Sequence, residues 1–374
     1  MSKKENSMSA RERFHAAMSF KPFDRLPVIE LCVWWDKTIE RWRSEGLPAG
    51  LEDRYDICRH FGLDIIYQHI ILNQLPGLPA PAAEGAGIAS DTDGYRRLLP
   101  LLYPRDKILD TSLLYKWTVQ SSGLLREWKK EQEAGDAVIR FTLYGFFWFP
   151  RVLLGVEGHL CAFYDQPDLI HMINQDLSDF YVRALDAIFD ACGPDLIVLS
   201  EDMCYKNGPM LSKKHFDEFL LPYYRKIIPL IRERGTLVMI DSDGDVGSAA
   251  AWFEEAGFQG VLPMERQAGA DAASLRKKHP DMRFIGGFDK TVMSRGEDAM
   301  RREFERLLPT AAAGGHLINC DHQTPPQVSY SDYQLYLRLF REYASRAAQR
   351  RTGFSDTGME IGTKNTLHTE VVSQ

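Results

Sequence analysis

The sequence has no apolar run approaching the ~20 residues that a membrane-crossing helix needs. It also has no block of lysine and arginine of the kind that would track a nucleic-acid backbone. Acids outnumber bases, 52 to 45, so the formal charge is −7 and a polyanionic partner is disfavoured. The six cysteines (Cys32, Cys58, Cys161, Cys192, Cys204 and Cys320) are scattered without a CxxC pair, which excludes a disulfide framework and a zinc finger. Met1 to Arg13 is polar and charged, unlike the apolar core of a signal peptide. The expectation is a reduced, cytoplasmic protein that binds neither membrane nor nucleic acid. Its 374 residues can bury a core without staples.

What is present is a rhythm. Short apolar runs at Asp195–Ser200, Thr236–Ile240, Gly260–Met264, Arg283–Gly287 and His316–Asn319 are each followed by an amphipathic stretch: Lys213–Glu233, about Val246–Ala256, Ala270–Lys278, Glu297–Leu308 and Ser331–Tyr343. Near-continuous apolar strands separated by helices imply a parallel sheet covered on both faces, and five such units in roughly 160 residues fit half or more of a (β/α)8 TIM barrel. The first half is less regular. It predicts helices at Ala10–Ser19, Glu52–Phe61 and over most of Leu113–Ala134. It predicts strands at Leu26–Leu31, Asp64–Tyr67 and Ala137–Tyr144, and a hairpin insertion at 87–99 turning on Asp93-Gly94. Residues 10–345 are expected to form one barrel domain, and 351–374, polar and without apolar period, a disordered tail.

Polar residues collect where these strands end: Glu201-Asp202, Asp241-Ser242-Asp243-Gly244-Asp245, Glu265-Arg266, Asp289-Lys290 and Asp321-His322. Strand termini of a parallel barrel share one face, where catalytic groups of this fold gather. Each acid alone could be no more than a helix cap, but five segments converging favour a shared cavity. Crowded carboxylates raise each other's pKa and call for a counter-charge, either a divalent metal or a cationic substrate group. An EF-hand at Asp241 is excluded, because loop position 6 is Val246 and position 12 is Trp252. His322 beside Asp321 is a candidate ligand or acid–base group. Cys320 falls on the same side two residues earlier, and Cys204 is a weaker candidate. His60, His159 and His171 read as packed or hydrogen-bonded. Trp34-Trp35 and the run Phe146–Phe149 either line an apolar pocket or pack the barrel mouth.

Several segments together resemble the uroporphyrinogen decarboxylase superfamily over about residues 10–345. They are Ala10-Arg11-Glu12-Arg13-Phe14 through Lys21–Val28, Glu201-Asp202-Met203 with Leu211–Phe216 and Leu221–Tyr224, Gly286–Lys290, and Asp321–Pro326 with Tyr333 and Tyr336. The resemblance implies a (β/α)8 barrel with one of two chemistries: cofactor-free decarboxylation of porphyrinogen acetates, or methyl transfer to or from a corrinoid or thiol, usually through zinc. The decarboxylases' Arg-Gln-Ala-Gly-Arg segment is replaced here by Leu31-Cys32-Val33-Trp34-Trp35, without arginine. An acidic, aromatic mouth is electrostatically wrong for a polycarboxylate. The His-x-Cys of thiol-activating methyltransferases is replaced by Asp241-Ser242-Asp243. The expectation is therefore a methyltransferase-like member acting on a small methylated compound, an O-methyl aromatic or a methylamine, with a corrinoid protein as partner. Zinc would sit on Asp241, Asp243 and His322, with Glu201 as fourth ligand or general acid. Glu201, Asp202 and Asp243 would be catalytic. Trp34, Trp35, Tyr144, Phe147, Glu265 and Asp289 would bind substrate. A metal-independent decarboxylase or lyase using Asp202 or Asp243 is the alternative, and a non-catalytic barrel, its acids bound to Arg266 and Lys290, is a third. Barrels of this type often pair, and a homodimer is expected.

Overall fold

In the computed structural model, residues 7–32, 34–51, 53–71, 77–106, 108–110, 113–115, 118–119 and 122–355 are described. Seven strands form one curled parallel sheet: β1 (Ile65–Ile71), β2 (Ala137–Tyr144), β3 (Leu196–Ser200), β4 (Leu237–Asp241), β5 (Gly260–Leu262), β6 (Arg283–Phe288) and β7 (His316–Cys320). They lie side by side in chain order. Helices fill the connections, so this is a (β/α)8-type barrel.

The eighth stave is not a regular strand. Leu26–Leu31, predicted as β, runs extended between β7 and β1 without a continuous ladder. On one side, the Val28 N–H donates to the Asp64 carboxylate (2.8 Å) and the Asp64 N–H donates to the Val28 carbonyl (2.8 Å). On the other, the Asn319 side chain of β7 donates to the Ile29 carbonyl (2.7 Å) and accepts from the Leu31 N–H (3.3 Å). A side-chain amide thus stands in for a peptide group and closes the sheet. The opening motif anchors the same stave, with Arg13 clamping Asp24 at 2.7 and 2.8 Å and Arg25 clamping Asp64 at 2.6 and 2.8 Å.

Inward and outward faces follow from ring contacts. Tyr67 and His69 meet Trp128 on the outer helix Ser122–Ala134. Gln68 and Thr142, on alternate positions, therefore face inward, where they hydrogen-bond each other (3.1 Å). By register, Arg140 and Leu196 share the level of Gln68, while Tyr144, Ser200 and Asp241 share a level two inward positions nearer the strand ends.

Four expectations are corrected. From residue 92 on, the hairpin predicted at 87–99 is instead the start of a helix, Thr92–Leu102, because Asp91 caps it by accepting from the Gly94 N–H (2.7 Å). Leu113–Ala134 is helical only from Ser122; Leu113–Tyr115 pairs with Thr118–Val119 instead. Lys213–Glu233 is two helices, Lys213–Phe219 and Leu221–Arg232, since Pro222 has no N–H to continue the first. The last helix runs from Tyr330 to Ser355, past its expected end at Tyr343 and into the predicted tail, whose residues 356–374 lie outside those described. Among the described residues no helix is long and apolar enough to cross a membrane.

Candidate functional site

The strand ends deliver the predicted acids to one mouth, but not in equal roles. Glu201, following β3, is fully buried. Its carboxylate accepts from the N–H groups of Phe146 (2.8 Å), Phe147 (2.7 Å) and Trp148 (3.1 Å), and from the Tyr224 hydroxyl. Gly145 makes room for it, since a Cβ there would lie 1.9 Å from the carboxylate. Burial still pushes its pKa up to about 7. Glu201 therefore ties the β2–helix turn to the barrel, and its proposed role as fourth metal ligand or general acid is corrected: every acceptor position is taken.

Asp202 sits at φ 42°, a left-handed conformation rare for a residue with a side chain. Its N–H and that of Glu201 both donate to the Asp241 carbonyl (3.2 and 2.9 Å), which pins the β3 and β4 ends together. Its own carboxylate accepts from the Asp243 N–H (3.4 Å). Burial raises its pKa, with the Glu265 charge adding to the rise. Asp241, facing inward at the end of β4, is raised well above the usual carboxylate range by burial and by Asp202 and Asp243. Asp243 reaches about 7 for the same reasons, burial first, then Asp202 and Glu265. Its Oδ2 lies 3.6 Å from His322 Nε2. Burial, then Lys290, lower the His322 pKa.

The other side of the mouth is more rigid. The buried Asp321 carboxylate accepts from the N–H groups of Arg266 (3.0 Å) and Lys290 (3.2 Å), and the Lys290 ammonium lies 3.4 Å from it and 3.9 Å from Glu265. Glu265 accepts from the Gly244 N–H (3.0 Å). Asp289 is a helix cap, holding the Thr291 N–H (2.8 Å) and Gln267 (2.8 Å). No Lys or Arg ion pair reaches Asp202, Asp241 or Asp243 among the described residues.

Of the aromatics, Tyr144 ends β2 at the level of Asp241, facing the mouth. Trp35 is 45% exposed, at the cap of the helix Asp36–Glu45. Trp34 packs among Trp42, Phe61 and Tyr333, and Phe147 against His159 and Phe163, so both belong to the core rather than to substrate binding. Cys320 and Cys204 are buried, and burial raises both thiols, that of Cys204 to about 12. His60 and His171 hydrogen-bond Tyr330 and Tyr223, each at 2.9 Å.

Two residues at the mouth escaped the sequence reading. Arg140 lies inside β2, and Cys32 follows the eighth stave; both are electrostatically coupled to Asp241. The signal for Arg140 was available, as a lone charge within the apolar strand Ala137–Tyr144.

The zinc set can be tested on this arrangement. Among the described residues no three His, Cys, Asp or Glu side chains are grouped so as to hold a metal ion. Only Asp243 and His322 of the expected trio lie together, so the residues as arranged do not fit the ion.

Comparison with known proteins decides the family. Residues 152–343, just over half the chain, match the family model described as uroporphyrinogen decarboxylase (URO-D). The chain belongs to the uroporphyrinogen decarboxylase family. Relatives within it include a uroporphyrinogen decarboxylase of Corynebacterium diphtheriae, 26% identical over 59% of this chain and 68% of that protein. One of Synechocystis sp. is 26% identical over 75% and 79% respectively. Among solved structures, a methyltransferase from Methanosarcina mazei superposes with a TM-score of 0.65 over 90% of this chain and 99% of its own, at 16% identity, which shows a shared barrel. The family match spans β3 to β7 and with them the acidic mouth.

Proposed function

We propose that this URO-D family protein is an enzyme that removes a methyl group from a small methylated compound, with a corrinoid on a partner protein as acceptor. The observation that carries the reading is the pair Asp243–His322: a protonatable carboxyl with a pKa of about 7, 3.6 Å from an imidazole, within an acid rim where, among the described residues, no Lys or Arg forms a direct ion pair with Asp202, Asp241 or Asp243. When the bond from an ether oxygen or a neutral amine nitrogen to a methyl group breaks, the heteroatom keeps the electron pair and takes up a proton, whereas a quaternary nitrogen leaves as a neutral amine and needs none. Asp243, protonated near neutrality, donates that proton, and His322 is placed to exchange it with solvent. The corrinoid would supply the centre to which the methyl group passes.

The named relatives support a second reading, decarboxylation, in which Asp202 or Asp243 protonates the carbanion left by CO2. The rim argues against a polycarboxylate, since several carboxylates would meet Asp202, Asp241, Asp243 and Glu265. The deciding experiment incubates the purified chain with reduced cobalamin and guaiacol, trimethylamine or glycine betaine, and follows methylcobalamin by absorbance. Formation that is lost in Asp243→Asn supports methyl transfer. No methylcobalamin from any donor, with CO2 release from uroporphyrinogen by the same preparation, replaces it with decarboxylation.

A further inference from the structure

Beneath the acid rim lies a cation without a partner. Arg140 is 6% exposed, faces inward from β2, and makes no hydrogen bond or ion pair among the described residues; its Nε is one of the buried nitrogens left unsatisfied. Its Cα lies two inward positions below the level of Tyr144 and Asp241, roughly 13 Å along the strand. The guanidinium is nonetheless within electrostatic reach of Asp241 and Cys32 at the mouth, as well as of Arg54 and Tyr55 at its own depth. Asp241 also has no hydrogen bond or ion pair to its carboxylate among the described residues.

A buried guanidinium and a buried carboxyl that lie near each other without a direct contact are poised for something between them, the carboxyl giving up its proton only when a further cation approaches. A dry guanidinium is costly unless two acceptor oxygens meet it, and a carboxylate ligand supplies them in the matching fork geometry. No carboxylate among the described residues does so internally. Glu30, another buried acid, hydrogen-bonds Tyr333 (3.0 Å), and burial pushes its pKa to about 8, so it is largely uncharged at neutrality. Arg54 adds a second cation at this depth, within hydrogen-bond reach of Gln68 (3.4 Å). The floor is therefore positive, and the rim of Asp202, Asp241, Asp243 and Glu265 is a row of crowded carboxyls that a bound cation would draw into their charged form.

We infer that the barrel mouth takes a small zwitterion, its carboxylate seated on Arg140 and its methylated ammonium at the acid rim. Arg140 then positions the substrate by fixing its depth, so that the methyl-bearing nitrogen lies level with Asp241 and beside Asp243. This rests on the methyl-transfer reading for what happens next, but binding can be measured apart from turnover.

Calorimetric titration of the purified chain with three probes tests it. They are glycine betaine, choline (the same cation without the carboxylate) and 3,3-dimethylbutanoate (the same shape without the cation). Glycine betaine should bind at least tenfold more tightly than either. Arg140→Met should abolish its advantage over choline, and Arg140→Lys should keep part of it, which guards against a variant that merely fails to fold. Equal affinity for the three probes, or an unchanged preference in Arg140→Met, would overturn the inference and leave Arg140 as a counter-charge to Asp241. Tight betaine binding without methylcobalamin formation would overturn the reaction while keeping the substrate class. Demethylation of guaiacol without betaine binding would do the reverse.

Discussion

Replacing Glu201 by glutamine separates a structural acid from a catalytic one, and the structure fixes what should happen. One carboxylate oxygen serves Phe146 N–H and the Tyr224 hydroxyl; the other serves the N–H groups of Phe147 and Trp148. A glutamine must present an NH2 on one side. Facing Phe147 and Trp148 it would confront two backbone donors. Facing Phe146 and Tyr224 it confronts one, because the tyrosine can rotate to accept. The second orientation strands a single buried N–H, at about 1–3 kcal/mol, and the loss of charge assistance to the remaining bonds adds about 1 kcal/mol. With ~2.1 cal/mol/K of unfolding entropy per residue, about 3 kcal/mol in a 374-residue chain lowers Tm by roughly 4 °C. The deficit should also vary with pH. The folded carboxyl, raised to about 7, takes up a proton below that pH where the unfolded one, near 4.5, does not. Wild-type stability from this group is thus fully present at low pH and lost as pH rises through about 7. Glutamine cannot titrate, so the gap should widen from pH 8 to pH 6. Calorimetry at both values reads this directly. A variant with unchanged Tm and abolished activity would refute the reasoning and return Glu201 to the reaction.

Further outcomes follow from single contacts. Asn319→Leu removes both bonds to the eighth stave and should cost about 2–4 kcal/mol in urea unfolding, with faster amide exchange at Leu31; protection equal to wild type would show that the stave closes without Asn319. If Asp243 is the proton donor, turnover should fall as pH rises through about 7, and Asp243→Asn should lose about 100-fold or more with no such inflection; a variant that keeps the inflection would assign it elsewhere. Zinc added to the purified chain should be removed by desalting, leaving well under one ion per chain by mass spectrometry. About one per chain, lost when Asp243 and His322 are both changed to alanine, would mean that the side chains regroup around the metal.

The second half of the barrel was legible because β3 to β7 are apolar runs buried on both faces, each followed by an amphipathic helix, and such runs have few other solutions. The eighth stave was legible as extended chain but not as an irregular one, since its partner is the side chain of Asn319, nearly 290 residues away. The helix at Thr92 was lost because Asp93-Gly94 carries a hairpin signature equally compatible with the first turn of a helix capped by Asp91. At the site, the convergence of acids was readable from strand termini, whereas their division of labour was not. Glu201 and Asp202 are adjacent in sequence, yet one is consumed by four donors and the other turns into the mouth through a left-handed backbone. The familiar opening motif likewise serves the stave, through Arg13–Asp24 and Arg25–Asp64, rather than chemistry.

The charge balance of the mouth connects these roles to selectivity. Lys290 is held by Asp321 and Glu265 and only partly offsets the crowding at Asp243, and the lowered pKa of His322 keeps that ring from acting as a fixed cation near neutrality. The rim can lower its own repulsion only by holding protons or by holding a cationic ligand. Each choice has a use: a held proton is what an ether or a neutral amine requires when its methyl group departs, and a held cation is what a quaternary methylated ammonium presents. A neutral ether would leave Arg140 unpaired beneath it, whereas a zwitterion satisfies floor and rim together. Lowering the pH below about 7 protonates Asp243 and weakens the rim's demand for a cation, while Arg140 keeps its charge. Choline affinity should therefore fall more steeply with acidification than 3,3-dimethylbutanoate affinity, and equal slopes would mean that the rim does not bind the cation.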